Sequence, residues 1–214
     1  LELKAGVFQP LLWDQKKQLV MTRNEKWLNK YGDSFLDKIE AWKEKHGGVH
    51  YVKTENGYEA FLKKPSRQIV NLAMVKGRED PLGLIEVVLE NTWLEGDSII
   101  KTDTGLMMSL GDQVDKIIGV VKVIVERHQT DEGDFYKVET ENGYTAFLKP
   151  PSRQIIKTAM TQSRQTPLKL VEVILQDVWL KGDEIIKNDV GLLVSLMAEI
   201  NEIIGTKNVE LEEL

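Results

Sequence analysis

Thr54-Glu-Asn-Gly-Tyr58-Glu-Ala-Phe-Leu-Lys-Lys-Pro65-Ser-Arg-Gln-Ile69 returns 86 residues later as Thr140-Glu-Asn-Gly-Tyr144-Thr-Ala-Phe-Leu-Lys-Pro-Pro151-Ser-Arg-Gln-Ile155. The match runs without a gap from 49–119 onto 135–205, with 39 of 71 positions identical. A period this long marks a duplicated domain rather than a solenoid of short repeats. Each unit is small enough that its core is thin, which favours packing of the two copies on each other or on a partner.

Inside each copy the local signals agree. Residues 49–55 and 58–63 read as strands, and Asn56-Gly57 between them fits a type I′ hairpin turn, as does Asn142-Gly143. Pro65-Ser66 and Pro151-Ser152 stop the strand and offer a serine cap to a helix. Asp80-Pro81 and Thr166-Pro167 start a second helix, apolar around most of its circumference, that runs to Leu94 and Leu180 and ends at Gly96-Asp97 and Gly182-Asp183. A third begins near Asp103 or Asn188. The expected fold class is α+β: two duplicated modules, each a β-hairpin followed by about three helices, with an N-terminal helical extension.

The chain then divides into 1–21, a leader or tag-like segment; 22–46, an N-terminal helical segment; 47–119 and 135–205, the two modules; 120–134, a linker or extra strand; and 206–214, a C-terminal tail. In the helical segment Trp27, Leu28, Tyr31, Phe35, Ile39 and Trp42 share a face, Asp33 or Ser34 is placed to cap its second piece, and Gly47-Gly48 ends it. Leu1–Val20 reads as an expression remnant, a processed end or a leader, and its apolar cluster from Val7 to Trp13 as a sticky strand or docking peptide. In the linker, Val121, Val123 and Val125 alternate with Lys122, Ile124 and Glu126, which favours a strand. Ile117, Val121 and Val125 also lie at helical spacing, so a continued helix is the competing reading.

Composition excludes more than it assigns. There is no cysteine, hence no disulfide, thiolate metal site or cysteine nucleophile. The net charge of −6 argues against broad nucleic-acid binding, and no apolar run reaches the length of a membrane span. The three histidines, His46, His50 and His128, fall near predicted element ends and read as solvated loop residues. With no metal-spaced cluster, nucleophile elbow or phosphate loop, the expectation is a non-enzyme with no cofactor and no catalytic or metal-binding residues.

The candidate partner-binding residues are Lys63, Arg67, Glu86, Trp93, Arg153, Glu172 and Trp179. Glu86 and Glu172 sit mid-helix in apolar runs, so each carboxylate needs a wet stripe or a cation, and Arg67 and Arg153 in the preceding helices are the natural intramodule partners. Trp93 and Trp179 close the second helix, as core plugs or interface anchors. Lys63, Lys64 and Arg67 form a basic cluster near Tyr58 and Phe61, and Met74, Met107, Met108 and Met160 read as adaptable core. Were there an active site shared between copies, Arg67, Glu86 and Asp97 with Arg153, Glu172 and Asp183 would form it.

Three motifs recur in both copies: Lys63-x-Pro-Ser-Arg-Gln68, Pro81-Leu-x-Leu-x-Glu-Val87 and Trp93-Leu-x-Gly-Asp-x-Ile-Ile-Lys101. With the preceding Glu40-Ala-Trp42-Lys-x-Lys-His-Gly47, they resemble small phage proteins of the tail assembly chaperone type, over roughly two-thirds of the chain. Those proteins typically carry one such module, so the tandem is a departure. The resemblance implies a non-catalytic module that binds phage tail or virion proteins, such as the tape measure, in the bacterial host cytoplasm, and it supplies no active-site residues. The alternatives are a structural virion component, such as a neck, tail or capsid-lining subunit, and a nucleic-acid-binding or regulatory module. Self-association is a further candidate interaction.

Overall fold

The computed structural model describes residues 25–131 and 133–205. The leader-like segment 1–21 and the tail 206–214 lie outside the described residues. The chain divides into two units between Val49 and His50, and the fold is α+β, with the repeat modules in the second unit apart from the first residues of the first module.

In the first unit, residues 25–31 (α1) and Ser34–His46 (α2) are helical. Trp27, Phe35 and Ile39 are buried, and Tyr31 stacks on Phe35 at 4.2 Å between centroids, so the aromatic face is the inner one. Gly32, at φ 86°, breaks the helix. The break is closed by the backbone, Phe35 N–H to Gly32 O at 3.1 Å. Asp33 occupies the cap position without a side-chain bond, unlike the capping expected of Asp33 or Ser34. Gly47, at φ 70°, ends α2 as anticipated.

In the second unit each module has one plan. The first comprises β1 (Val49–Lys53), β2 (Glu59–Lys63), α3 (Arg67–Glu79), α4 (Pro81–Thr92), β3 (Trp93–Gly96), α5 (Ile99–Thr102), α6 (Thr104–Gly111) and α7 (Val114–Ile118). The second adds one strand in front, β4 (Val123–Thr130), then follows suit. Its elements are β5 (Gly133–Thr140), β6 (Thr145–Leu148), α8 (Arg153–Gln162), α9 (Lys169–Val178), β7 (Trp179–Gly182), α10 (Ile185–Asn188), α11 (Val190–Ala198) and α12 (Ile200–Ile204). The strand orders are β1-β2-β3 and β4-β5-β6-β7. The linker is therefore a strand, paired antiparallel with β5 from Val123↔Thr140 to Thr130↔Gly133. Gly119, left-handed at φ 89°, ends α7 and rules out a continued helix.

Four local details differ from expectation. The hairpin turns are not type I′, because no residue other than glycine has positive φ among the described residues. Thr54 O instead accepts from Gly57 N–H at 3.1 Å and Thr54 N–H donates to Tyr58 O at 2.9 Å, a three-residue loop with glycine in the left-handed place. Thr140, Gly143 and Tyr144 repeat it.

The second helices stop at Thr92 and Val178, before the tryptophans. Trp-Leu-x-Gly forms a short return strand instead, with Leu62↔Trp93 and Ala60↔Gly96 in register. A Cβ on Gly96 would stand 2.4 Å from Glu59 O, so only glycine fits this approach. Asp97 then clamps the strand end: its Oδ2 accepts Glu59 N–H at 2.8 Å, as Asp183 accepts Thr145 N–H.

Asp80 caps α4 through Leu82 N–H, but Thr166 does not cap α9. Leu168 takes the cap position, and its N–H is held by Asn71 Oδ1 of the first module at 2.9 Å. Lastly, the third helix is broken into three short pieces, the middle ones capped by Asp103 and, in the second copy, by Asp189 rather than Asn188.

Two cores result. The first module buries Leu62, Ile85, Leu89 and Ile100 behind its sheet. The second core, around Leu148, Ile174, Leu193 and Leu196, also takes in Val70 and Ile118 from the first module, so the copies share an interior.

Candidate partner-binding site

The joint between the modules consumes most of the ionic candidates. Glu172 is buried, with Arg67 Nη1 at 3.2 Å from one carboxylate oxygen and Lys169 Nζ at 2.7 Å from the other. Arg67 also donates to the carbonyls of Lys187 and Asn188 at the end of α10. Lys64 Nζ reaches Asp189 Oδ2 at 2.5 Å. The expected intramodule pairs do not form: Arg67 crosses to the other copy, because α3 packs on the second module while α8 faces outward. Glu86 and Arg153 are exposed and enter no ion pair among the described residues. These joints always match one face of the first copy to a different face of the second, so the interface is heterologous.

The remaining candidates scatter. Trp93 and Trp179 are half-buried, each under a lysine, Lys101 at 4.6 Å and Lys187 at 4.3 Å from the ring centroid. Lys63 is half-buried and far from an ionic role among the described residues. Phe61 is buried and Tyr58 exposed, so the basic-aromatic cluster is not one surface. Asp97 and Asp183 are spent on backbone amides. Met107 is buried and Met74 half-buried, whereas Met108 and Met160 are exposed, contrary to the reading of all four as core. His50 and His128 lie in strands rather than loops, and His46 ends α2. His128 stacks on Phe135. No group of three or more metal-ligating side chains occurs among the described residues.

One open concavity stands apart from the joint. A groove of about 570 Å³ lies in the first module between β1 with its turn, residues 50–56, and α6–α7, from Leu106 to Ile117. Leu106, Leu110 and Ile117 supply an apolar floor, with Lys53 and Lys116 on the walls. His50 lines it half-buried. Burial, then the nearby charge of Lys64, holds its imidazole below the usual 6.5, against a hydrogen bond to the Ile117 backbone.

The second module explains the groove, since β4 fills its counterpart. There β4 pairs with β5 and packs on α11 and α12. Its approach is tied down at two points. Ser195 Oγ accepts Val121 N–H at 3.1 Å while donating to Gly191 O at 2.8 Å. A Cβ on Gly191 would lie 2.1 Å from Gly119 O, so the incoming chain runs over bare backbone. In the first module the matching residues are Ser109 and Gly105. Ser109 is exposed, its Oγ donating to Gly105 O at 3.0 Å, and a Cβ on Gly105 would meet only Asp103 Oδ1 within 4 Å. Residues that would supply the covering strand by repeat phase fall in helix α2. The first copy thus keeps the fittings of a strand seat with β1 at the sheet edge among the described residues.

Sequence reasoning missed Gly105, Ser109 and the β1 edge. Their identity with Gly191 and Ser195, set beside a linker strand lacking a counterpart, was the available signal. No helix among the described residues is long and apolar enough to cross a membrane. Neither a protein-family model, nor a curated protein, nor a solved structure matches this chain.

Proposed function

We propose that this chain is a non-enzymatic assembly protein of the phage tail assembly chaperone type, which takes up a strand-forming protein segment in the groove of its first module. One observation carries the reading: the seat that β4 occupies in the second copy is present in the first, with Gly105 and Ser109 in place, and no described residue fills it. Strand addition suits such a role, since main-chain hydrogen bonds supply affinity for many sequences while alternate side-chain pockets select among them. The resemblance of the recurring motifs to tail assembly chaperones supports the class, and the clients would be tail or virion proteins met in the bacterial host cytoplasm.

Affinity capture from phage-infected cells tests it. The tagged chain is expected to recover a tape measure or other tail protein, and Ser109→Lys, which plants a long cation in the seat, to lose it. Capture of no tail or virion protein, or capture indifferent to Ser109→Lys, overturns the proposal. A subunit retained in the particle is the second reading, favoured by the heterologous joint, which extends readily into fibres. Stoichiometric presence in purified virions, by mass spectrometry, selects it.

A further inference from the structure

The repeat phase identifies a strand for the open seat. Continuing the offset of 86 past the second module sets Gly119-Val-Val-Lys-Val-Ile-Val-Glu126 against Gly205-Thr-Lys-Asn-Val-Glu-Leu-Glu212. Gly119 and Gly205 are both left-handed caps ending the last helix of their module, at φ 89° and 74°. Val123 and Val125, the buried and half-buried positions of β4, become Val209 and Leu211. Exposed Ile124 and Glu126 become Glu210 and Glu212. The apolar alternation needed to face the groove is therefore kept, and the other face is made acidic. In this phase each module ends in the strand that its successor requires.

We propose that residues 206–214 of one chain dock as an added strand in the β1 groove of a second copy, building head-to-tail assemblies. This rests on the reading of the groove as a strand seat. Three observations support the occupant beyond the alternation. The internal joint is heterologous, so each chain carries an unused copy of both faces, and their key residues are exposed: Glu86, Gly105 and Ser109 on the receptor face of the first module, Arg153 on the donor face of the second. Repeating the joint between chains pairs Arg153 with Glu86 as Arg67 pairs with Glu172, and brings the Lys207 amide to Ser109 as Val121 meets Ser195. Charge agrees as well, because the register of β4 on β5, which sets Ile124 opposite Glu139, sets Glu210 opposite Lys53 on the outward face. The joint between chains is weaker than the internal one. Pro150 replaces Lys64, and Lys157 replaces Asn71, so two of the internal contacts have no counterpart. Assembly is accordingly reversible and concentration-dependent.

Sedimentation velocity on the full chain and two variants tests this. The donor-defective variant is Val209→Asp with Leu211→Asp. The receptor-defective variant is Ser109→Lys, an exposed site whose change leaves the core alone. The wild type is expected to grow in mass with concentration, each variant to remain monomeric, and a mixture of the two to give a dimer and nothing larger. Growth of either variant alone to wild-type size, or no dimer on mixing, overturns the proposal, as does a wild type that stays monomeric throughout. A labelled peptide of residues 119–128 added to the donor-defective chain separates the two levels. If it binds while the wild type stays monomeric, the seat is real and the assigned occupant is wrong. If it does not bind either, the seat itself falls.

Discussion

Glu86 and Glu172 occupy the same place in the repeat, yet only one is buried, so the same substitution has two outcomes. Glu172→Ala strands Arg67 beside the joint and removes the anchor of Lys169. Because both cations are partly exposed, the loss is reduced from that of a fully buried pair to about 1–2 kcal/mol. Glu86→Ala, on an exposed face, stays within about 0.5 kcal/mol of wild type. Urea denaturation of both variants measures the contrast, and equal effects would contradict the placement of the joint. His50 gives the chain a titratable element of stability. Its imidazole is held below 6.5 by burial first and by Lys64 second, so the neutral form is the one that folding favours. Its contribution is complete above 6.5 and is lost as pH falls through the lowered folded value. His50→Gln is expected to flatten the acid limb of a stability profile below that point, and an unchanged limb would refute this.

At the scale of elements, the sequence was most legible where one residue type has one physical use. Serine after proline marked α3 and α8, the Asp80-Pro81 pair marked α4, and valine alternation favoured β4 over a helix. The return strands β3 and β7 stayed hidden because four residues are too few to show a period, and an apolar helix runs straight into them. Asn-Gly serves two loop geometries, a two-residue turn and a three-residue loop with only the glycine left-handed, and the register of the flanking strands distinguishes them. Gly96 tests the return strand. Gly96→Ala forces a Cβ within 2.4 Å of Glu59 O at φ 143°, and about 3 kcal/mol or more of stability should disappear with loss of the β2–β3 pairing. Amide exchange across Ala60 to Leu62 would report it.

For the whole molecule, the candidate site was less legible than the fold, because it is defined by something the second copy has and the first lacks. Pairing Arg67 with Glu86 inside one module was reasonable from spacing, and it failed because no one-dimensional pattern says which copy a side chain turns toward. Two glycines make the asymmetry measurable. Gly191→Ala drives a Cβ to 2.1 Å from Gly119 O and should loosen the joint, whereas Gly105→Ala meets only a capping oxygen and should be neutral or mildly stabilising. Thermal unfolding followed by circular dichroism distinguishes them. Since Val70 and Ile118 of the first module lie in the core of the second, wild type should melt in one transition and Gly191→Ala should begin to separate into two.

Strand β4 belongs by covalent continuity to the first module and by hydrogen bonding to the second. A protease cut between Thr130 and Gly133 would therefore sever the backbone without releasing either piece. The nicked fragments should co-elute from a sizing column in native buffer and part only in denaturant, which makes this link a natural place to split the chain into two complementing halves.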